Sequence, residues 1–219
     1  MSNPETQRVV VIDDHPLIRK GLQQLADLSP HIDIIGEADS GEEGLNMVRA
    51  LKPDLVLLDL NMPGMNGIET LAAIKHMEQD LRVVMLTVSN AEEDVVSALR
   101  NGADGYLLKD MDPADLLIKF REVAEGRIVM SPSITQCLAR ALQAEGQRGQ
   151  QQGVVAELTD REREILLHLR NGESNKVIAR QLKIAEATVK VHVKHLLKKL
   201  DLKTRVEAAV WAVSNKDLL

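Results

Sequence analysis

The 219-residue sequence predicts a doubly wound α/β domain with a five-stranded parallel sheet, followed by a second, all-α domain. Three observations lead there. Five short apolar runs alternate with amphipathic stretches as far as Gly126, and the segment Glu145–Gly153, EGQRGQQQG, then interrupts the pattern with almost no apolar residue. Charge changes sign across that break: residues 1–130 carry 12 Lys/Arg against 23 Asp/Glu, whereas residues 154–219 carry 13 against 9. An acidic front and a basic rear imply two units with different partners, nucleic acid being a candidate for the second.

The runs Arg8–Ile12, Ile34–Gly36, Leu55–Leu58, Val83–Leu86 and Tyr106–Leu108 are too short for helices and read as strands. Nearly continuous apolar runs belong to parallel strands buried on both faces, with helices as crossovers. Pro16 suits a first helical turn, and Ile18, Leu22 and Leu25 follow at helical spacing. Further helices are predicted over Gly41–Leu51, Ile68–Met77, Glu92–Arg100 and Pro113–Ala124, with Gly36, Gly67, Gly102 and Gly126 as punctuation. Another is expected over Ser131–Leu142, before the Gly/Gln-rich linker.

Beyond the linker the pattern is helical throughout. Thr159-Asp160-Arg161-Glu162 has the form of a capping box, with Ile165, Leu166 and Leu169 behind it and Gly172 as a stop. Asn175–Lys183 and Glu186–Leu200 form two helices with a tight connection, a helix-turn-helix, with Ala179 small where they cross. Val206, Ala209, Val210 and Val213 mark a last helix. The stretch TVKVHVKHLLKKL, Thr188–Leu200, begins with strand-like alternation, yet Val189, Val193, Leu196, Leu197 and Leu200 continue one helical stripe through all of it. Val191 falls on the opposite face, among Thr188, Lys194, His195 and Lys198, with Lys190 at the flank.

The only aromatic residues are Tyr106, Phe120 and Trp211, so both cores rest on aliphatic side chains. A single cysteine, Cys137, excludes an intramolecular disulfide and reads as a small apolar residue. No apolar run approaches the roughly 20 residues that cross a bilayer, and the N-terminus shows no signal-peptide pattern. A cytoplasmic protein is expected.

Polar residues gather where the apolar runs end: Asp13 and Asp14 after the first, Asp59 after the third, Thr87 at the fourth and Lys109 after the fifth. In a parallel sheet these termini share one edge and converge on a crevice. Three carboxylates there repel one another unless a cation intervenes, and Mg2+ suits hard oxygen ligands. A carboxylate beside Mg2+ and a lysine can act as a nucleophile on a phosphoryl group. Asp59 is the candidate, because it alone ends the central run and a Gly-rich loop, Asn61–Gly67, follows it. Each residue also has a plainer reading: Asp-Asp as a helix cap, Thr87 and Tyr106 as strand residues, Lys109 as a surface charge. Their joint occurrence at the ends of four strands favours a site.

VVVIDDHP, LVLLDLNMPGMNG, VVMLTVSN and GADGYLLKD resemble the receiver domain of two-component response regulators, a flavodoxin-like fold. The resemblance implies a Mg2+ site of Asp13, Asp14, Asp59 and the backbone carbonyl of Asn61. It also implies phosphorylation of Asp59 by a sensor histidine kinase, with Lys109 binding the phosphoryl group and Thr87 and Tyr106 as switches. Many receivers carry proline after this lysine; here Asp110 follows. LTDREREILLHLRNGESNKVIARQLKIAEATVKVHVKHLLKKL resembles the LuxR/FixJ-type DNA-binding domain. Together the halves resemble the NarL/FixJ family of transcription regulators, and several segments are similar to nitrate/nitrite response regulators. That likeness assigns DNA contacts to Lys190, Val191 and Lys194, with Thr188 and Lys198 beside them. Relatives often place Ser or Thr where Ala185 precedes the recognition helix, so its cap is expected to come from elsewhere or to be weaker here.

The expected organisation is a receiver at 1–128, a linker helix and flexible linker at 129–154, and a helix-turn-helix domain at 155–219. The expected function is a phosphorylation-gated transcription factor that dimerises on double-stranded DNA, its receiver covering the recognition helix until phosphorylation draws Thr87 and Tyr106 inward. The rival reading is a Mg2+-dependent phosphohydrolase with an aspartyl nucleophile. Such enzymes with a DxD motif need an acid two residues after the nucleophile, where this chain has Asn61.

Overall fold

The computed structural model describes residues 6–78, 80–130, 134–140 and 158–216. The chain divides into two compact units between Glu125 and Gly126. In the first, strands β1 (Gln7–Ile12), β2 (Ile32–Ala38), β3 (Leu55–Leu58), β4 (Arg82–Thr87) and β5 (Gly105–Leu108) pair in parallel in the order β2-β1-β3-β4-β5. Helices α1 (Pro16–Asp27), α2 (Gly41–Leu51), α3 (Gly67–Met77), α4 (Glu92–Arg100) and α5 (Pro113–Ala124) make the crossovers. Val9 to Ile12 and Leu55 to Leu58 are all buried, the burial on both faces that their unbroken apolar runs require. A two-residue strand, β6 (Val129–Met130), was not expected.

The chain runs outward from β1 to β2 and then returns across β1 to β3. The ends of β1 and β3 therefore flank the switch point, where such sheets form a crevice.

Two expected glycine stops have other roles. Gly36 lies inside β2, next to a register shift that skips Ile35: Val9 pairs with Ile34 and Val10 with Gly36. A Cβ on Gly36 would stand 2.9 Å from Leu51 Cδ1, so the glycine lets α2 close onto the strand. Gly67 opens α3 rather than preceding it, behind a capping box in which Asn66 and Glu69 satisfy each other's backbone N–H groups. Gly102 and Gly126 do mark turns, with φ of +99° and +78°.

In the second unit, residues 134–140 are helical, in agreement with part of the expected Ser131–Leu142 helix; the Glu145–Gly153 linker lies outside the described residues. Helices α6 (Asp160–Arg170), α7 (Asn175–Leu182), α8 (Glu186–Lys199) and α9 (Arg205–Ser214) enclose a core of Ile165, Leu166, Leu169, Ile178, Val189, Leu196 and Trp211. The Thr159–Glu162 capping box forms as read. Thr204 and Glu207 form another at the start of α9. Val206, Ala209, Val210 and Val213 all lie on α9 as expected, the first three buried and Val213 51% exposed. Among the described residues no helix is long and apolar enough to cross a membrane.

Candidate functional site

Asp13 and Asp59 end neighbouring strands and are both 2% exposed. Backbone geometry fixes each carboxylate. The N–H of His15 donates to Asp13 Oδ1 at 2.9 Å, an Asx-type turn, and the N–H of Leu60 donates to Asp59 Oδ1 at 2.7 Å. The other oxygen of each faces the same ammonium: Lys109 Nζ lies 2.8 Å from Asp13 Oδ2 and 2.8 Å from Asp59 Oδ2. Lys109 is itself only 5% exposed, so one buried cation neutralises one of two buried anions.

Lys109 reaches the carboxylates because β5 ends beside β4, where its N–H donates to Thr87 O at 2.9 Å. The Lys109–Asp110 peptide is trans, as all described peptide bonds are. Thr87 is fully buried and its Oγ1 accepts from the N–H of Ser89 at 3.2 Å. Tyr106, also fully buried, donates its hydroxyl to Ser89 O at 2.9 Å. Both side chains lie inward here: the phenol ring is mostly apolar and its hydroxyl finds a carbonyl, so burial suits it.

Asp14 completes the acidic set. Its Oδ1 is shielded from solvent and accepts no hydrogen bond, although His15 Nδ1 stands 2.7 Å away without the alignment a hydrogen bond requires. A buried carboxylate oxygen left unsatisfied, beside two more carboxylates, is a donor set of hard oxygens that suits a divalent cation. Asn61 begins the exposed loop beyond Asp59. Sequence reasoning missed His15, which shares the cluster with Asp13, Asp14 and Asp59. The signal was present: Pro16 confines the residue before it to extended backbone, and His15 adopts φ −91°, ψ 106°.

In the second unit α8 buries Val189 and Leu196 and half-buries Val193 and Leu197. Thr188, Lys190, Val191, Lys194, His195 and Lys198 are exposed, Val191 at 52%. The predicted division of this helix into an apolar inner face and a basic outer one with a single valine is what the structure shows. Ala185 occupies the N-cap without a side-chain hydrogen bond, also as read. The far end of α8 is tied down by Lys199, whose Nζ lies 2.7 Å from Glu162 Oε2. Burial pushes the Glu162 carboxyl up, but hydrogen bonds from Lys199 and Thr159 outweigh it and hold the group below the usual carboxylate range. Arg161 Nη2 donates to Leu182 O at 3.0 Å, joining α6 to the end of α7.

Comparison with known proteins agrees with this geometry. A family model described as the response regulator receiver domain matches residues 9–121, and one described as bacterial regulatory proteins, luxR family, matches residues 156–212. The nitrate/nitrite response regulator protein NarL of Escherichia coli K12 is 53% identical over 211 residues, 96% of this chain and 97% of that one. A nitrate/nitrite response regulator homolog of Haemophilus influenzae is 41% identical, covering 93% of this chain and 94% of its own. The solved receiver domain of a NarL response regulator from Mycobacterium tuberculosis superposes with a TM-score of 0.53 at 40% identity, covering 57% of this chain and all of that one. A receiver joined to a LuxR-type domain implies a histidine kinase and DNA as partners. With the acidic crevice at the switch point and the basic outer face of α8, this chain belongs to the NarL/FixJ family of two-component response regulators, phosphorylation-dependent regulators of transcription.

Proposed function

We propose that Asp59 accepts a phosphoryl group from a sensor histidine kinase and that phosphorylation turns on sequence-specific DNA binding by α8. The observation that carries this reading is the convergence of Asp13, Asp59 and Lys109 within 2.8 Å contacts at the switch point. A carboxylate oxygen of Asp59 attacks phosphorus, the P–O bond forms as the P–N bond to the kinase histidine breaks, and that histidine leaves as imidazole after taking up a proton. Asp13, Asp14, Asp59 and the Asn61 carbonyl would hold Mg2+, which would supply positive charge to the transferred oxygens. Lys109, freed from the carboxylates, pairs with a phosphoryl oxygen, and Thr87 Oγ1 offers it a hydroxyl; Tyr106 reports the change to the loop around Ser89.

On the output side, Lys190, Lys194 and Lys198 pair with phosphates or guanine edges, Thr188 with backbone, and Val191 with a thymine methyl. The phosphorylated chain binds DNA as a homodimer in the cytoplasm. Domain limits of 1–128, 129–154 and 155–219 fit the family matches. Nitrate or nitrite is the inferred signal, since the relatives at 53% and 41% identity carry it in their names. The chain is not read as a phosphohydrolase, because Asn61 offers no acid to the leaving group.

The test is Mg2+-dependent labelling with a small phosphodonor, followed by selection of bound duplexes with and without phosphate. Wild type should label and bind one sequence class more tightly once labelled, and Asp59→Asn should do neither. Phosphate-dependent binding that survives Asp59→Asn would overturn the scheme.

A further inference from the structure

His15 places a nitrogen donor in the acidic crevice that phosphoryl transfer does not require. Its position is built rather than incidental. Pro16 holds the residue extended, and its N–H is spent on Asp13 Oδ1, so the ring is carried over the carboxylates. Nδ1 lies 2.7 Å from Asp14 Oδ1, 3.3 Å from Asp13 Oδ1 and 3.9 Å from Asp59 Oδ2. One ligand atom from each of the four residues falls within 4.8 Å of every other. Ligands at about 2.1 Å from a shared ion stand roughly 3 to 4.2 Å apart, so small side-chain rotations close the set. Asp14 Oδ1 is buried without a hydrogen bond, and the imidazole beside it is not aligned as a donor. A cation between them would take one lone pair from each.

We propose that His15 is a further protein ligand, beside Asp13, Asp14, Asp59 and the Asn61 carbonyl, which shifts the metal preference of this site from Mg2+ toward Mn2+ and other first-row ions. The proposal rests on the reading of the crevice as a divalent-cation site. Mg2+ selects oxygen donors and sheds water reluctantly, whereas imidazole suits Mn2+, Co2+ and Zn2+ increasingly well. Three carboxylates, Lys109 and one divalent ion sum to zero charge, so a neutral imidazole completes the sphere without upsetting the balance. The ring is 61% exposed, and binding therefore needs no rearrangement of the core.

The experiment uses the full chain freed of metal. Mn2+ is titrated by electron paramagnetic resonance, Mg2+ by competition against it, and bound Mn2+ is examined for coupling to a 14N nucleus. Wild type should show 14N coupling that disappears in His15→Ala, which keeps the backbone N–H of the turn. His15→Ala should weaken Mn2+ by about tenfold while Mg2+ changes less than about twofold. Asp14→Asn should weaken both ions, which locates them in the crevice. Bound Mn2+ without 14N coupling, or equal losses of both ions in His15→Ala, overturns the role of His15 and leaves the cation site standing. Failure of wild type to bind either ion overturns both.

Discussion

Removal of the Lys199 ammonium should unfold the DNA-binding unit more readily than its distance from α8's outer face suggests. Lys199 Nζ lies 2.7 Å from Glu162 Oε2, and Glu162 is 5% exposed whereas Lys199 is 33% exposed. Breaking a fully buried pair costs about 3–5 kcal/mol, and a surface pair contributes about 0–1 kcal/mol. Here the carboxylate keeps the N–H and hydroxyl of Thr159, at 2.8 and 2.9 Å, and the cation is partly hydrated. An intermediate cost of about 2 kcal/mol follows for Lys199→Met, close to one charge-assisted hydrogen bond. Trp211 is the only tryptophan and sits in the core of this unit, so urea unfolding followed by its fluorescence reads the unit selectively. With a slope of about 1 kcal/mol/M for a domain this small, the midpoint should fall by about 2 M. Glu164→Gln, which removes the exposed Arg161–Glu164 pair, should move it by less than about 0.5 M. The carboxyl of Glu162 is held low in the folded state, so its contribution is present above the unfolded pKa and lost as pH falls through the folded value. The gap between wild type and Lys199→Met should thus be full at neutral pH and close only in acid, as pH falls below the usual carboxylate range. A midpoint shift under about 0.3 M, or a gap that is independent of pH, would refute the reasoning.

Gly67→Ala would put a Cβ 2.1 Å from Asp59 O and 2.6 Å from Leu60 Cα, backbone that cannot yield, so a loss of about 3 kcal/mol and impaired phosphodonor labelling are expected in calorimetry and labelling assays. Ala185→Ser supplies the missing N-cap of α8 and should stabilise the second unit by about 1 kcal/mol, read from the same Trp211 signal. Lys190→Ala should weaken DNA binding and, for a phosphate contact, lower the salt slope by about one, whereas Val191→Ala should relax preference at one base pair with the slope unchanged. Both are checked by fluorescence anisotropy across a salt series.

Much of this architecture was legible because its determinants are local. α2, α4 and α5 begin and end where the sequence reading put them, at residues with strong periodicity and clear flanking breaks. The strand ends gave Asp13, Asp59, Thr87 and Lys109 together, since a parallel sheet converts the ends of apolar runs into one edge. What escaped depends on contacts distant in sequence. Whether Gly36 stops a strand or admits Leu51 cannot be told from its neighbours, because the answer lies on the next helix. The inward position of Tyr106 is set by a carbonyl of the β4–α4 loop. His15 was overlooked because its chemistry arises from a turn that aims the ring: Pro16 signals the extended backbone, but the aim is set by the N–H that Asp13 Oδ1 accepts. Val213 continued a pattern that the packing of α9 did not use.

The buried phenol of Tyr106 bears on how far such a switch can be thrown. A ligand shifts an equilibrium only by the difference in its affinity for the two states. The phenol's hydroxyl makes one 2.9 Å hydrogen bond to Ser89 O, so this ring by itself supplies only a small part of the bias between off and on. That bias has to come from groups whose partners are exchanged, Lys109 foremost, which trades carboxylates for phosphoryl oxygens. The corollary concerns the floor: how often an unphosphorylated molecule visits the output-competent arrangement depends on how firmly Lys109 holds Asp13 and Asp59. Loosening that latch by about 1 kcal/mol would raise the floor several-fold before it touched the ceiling.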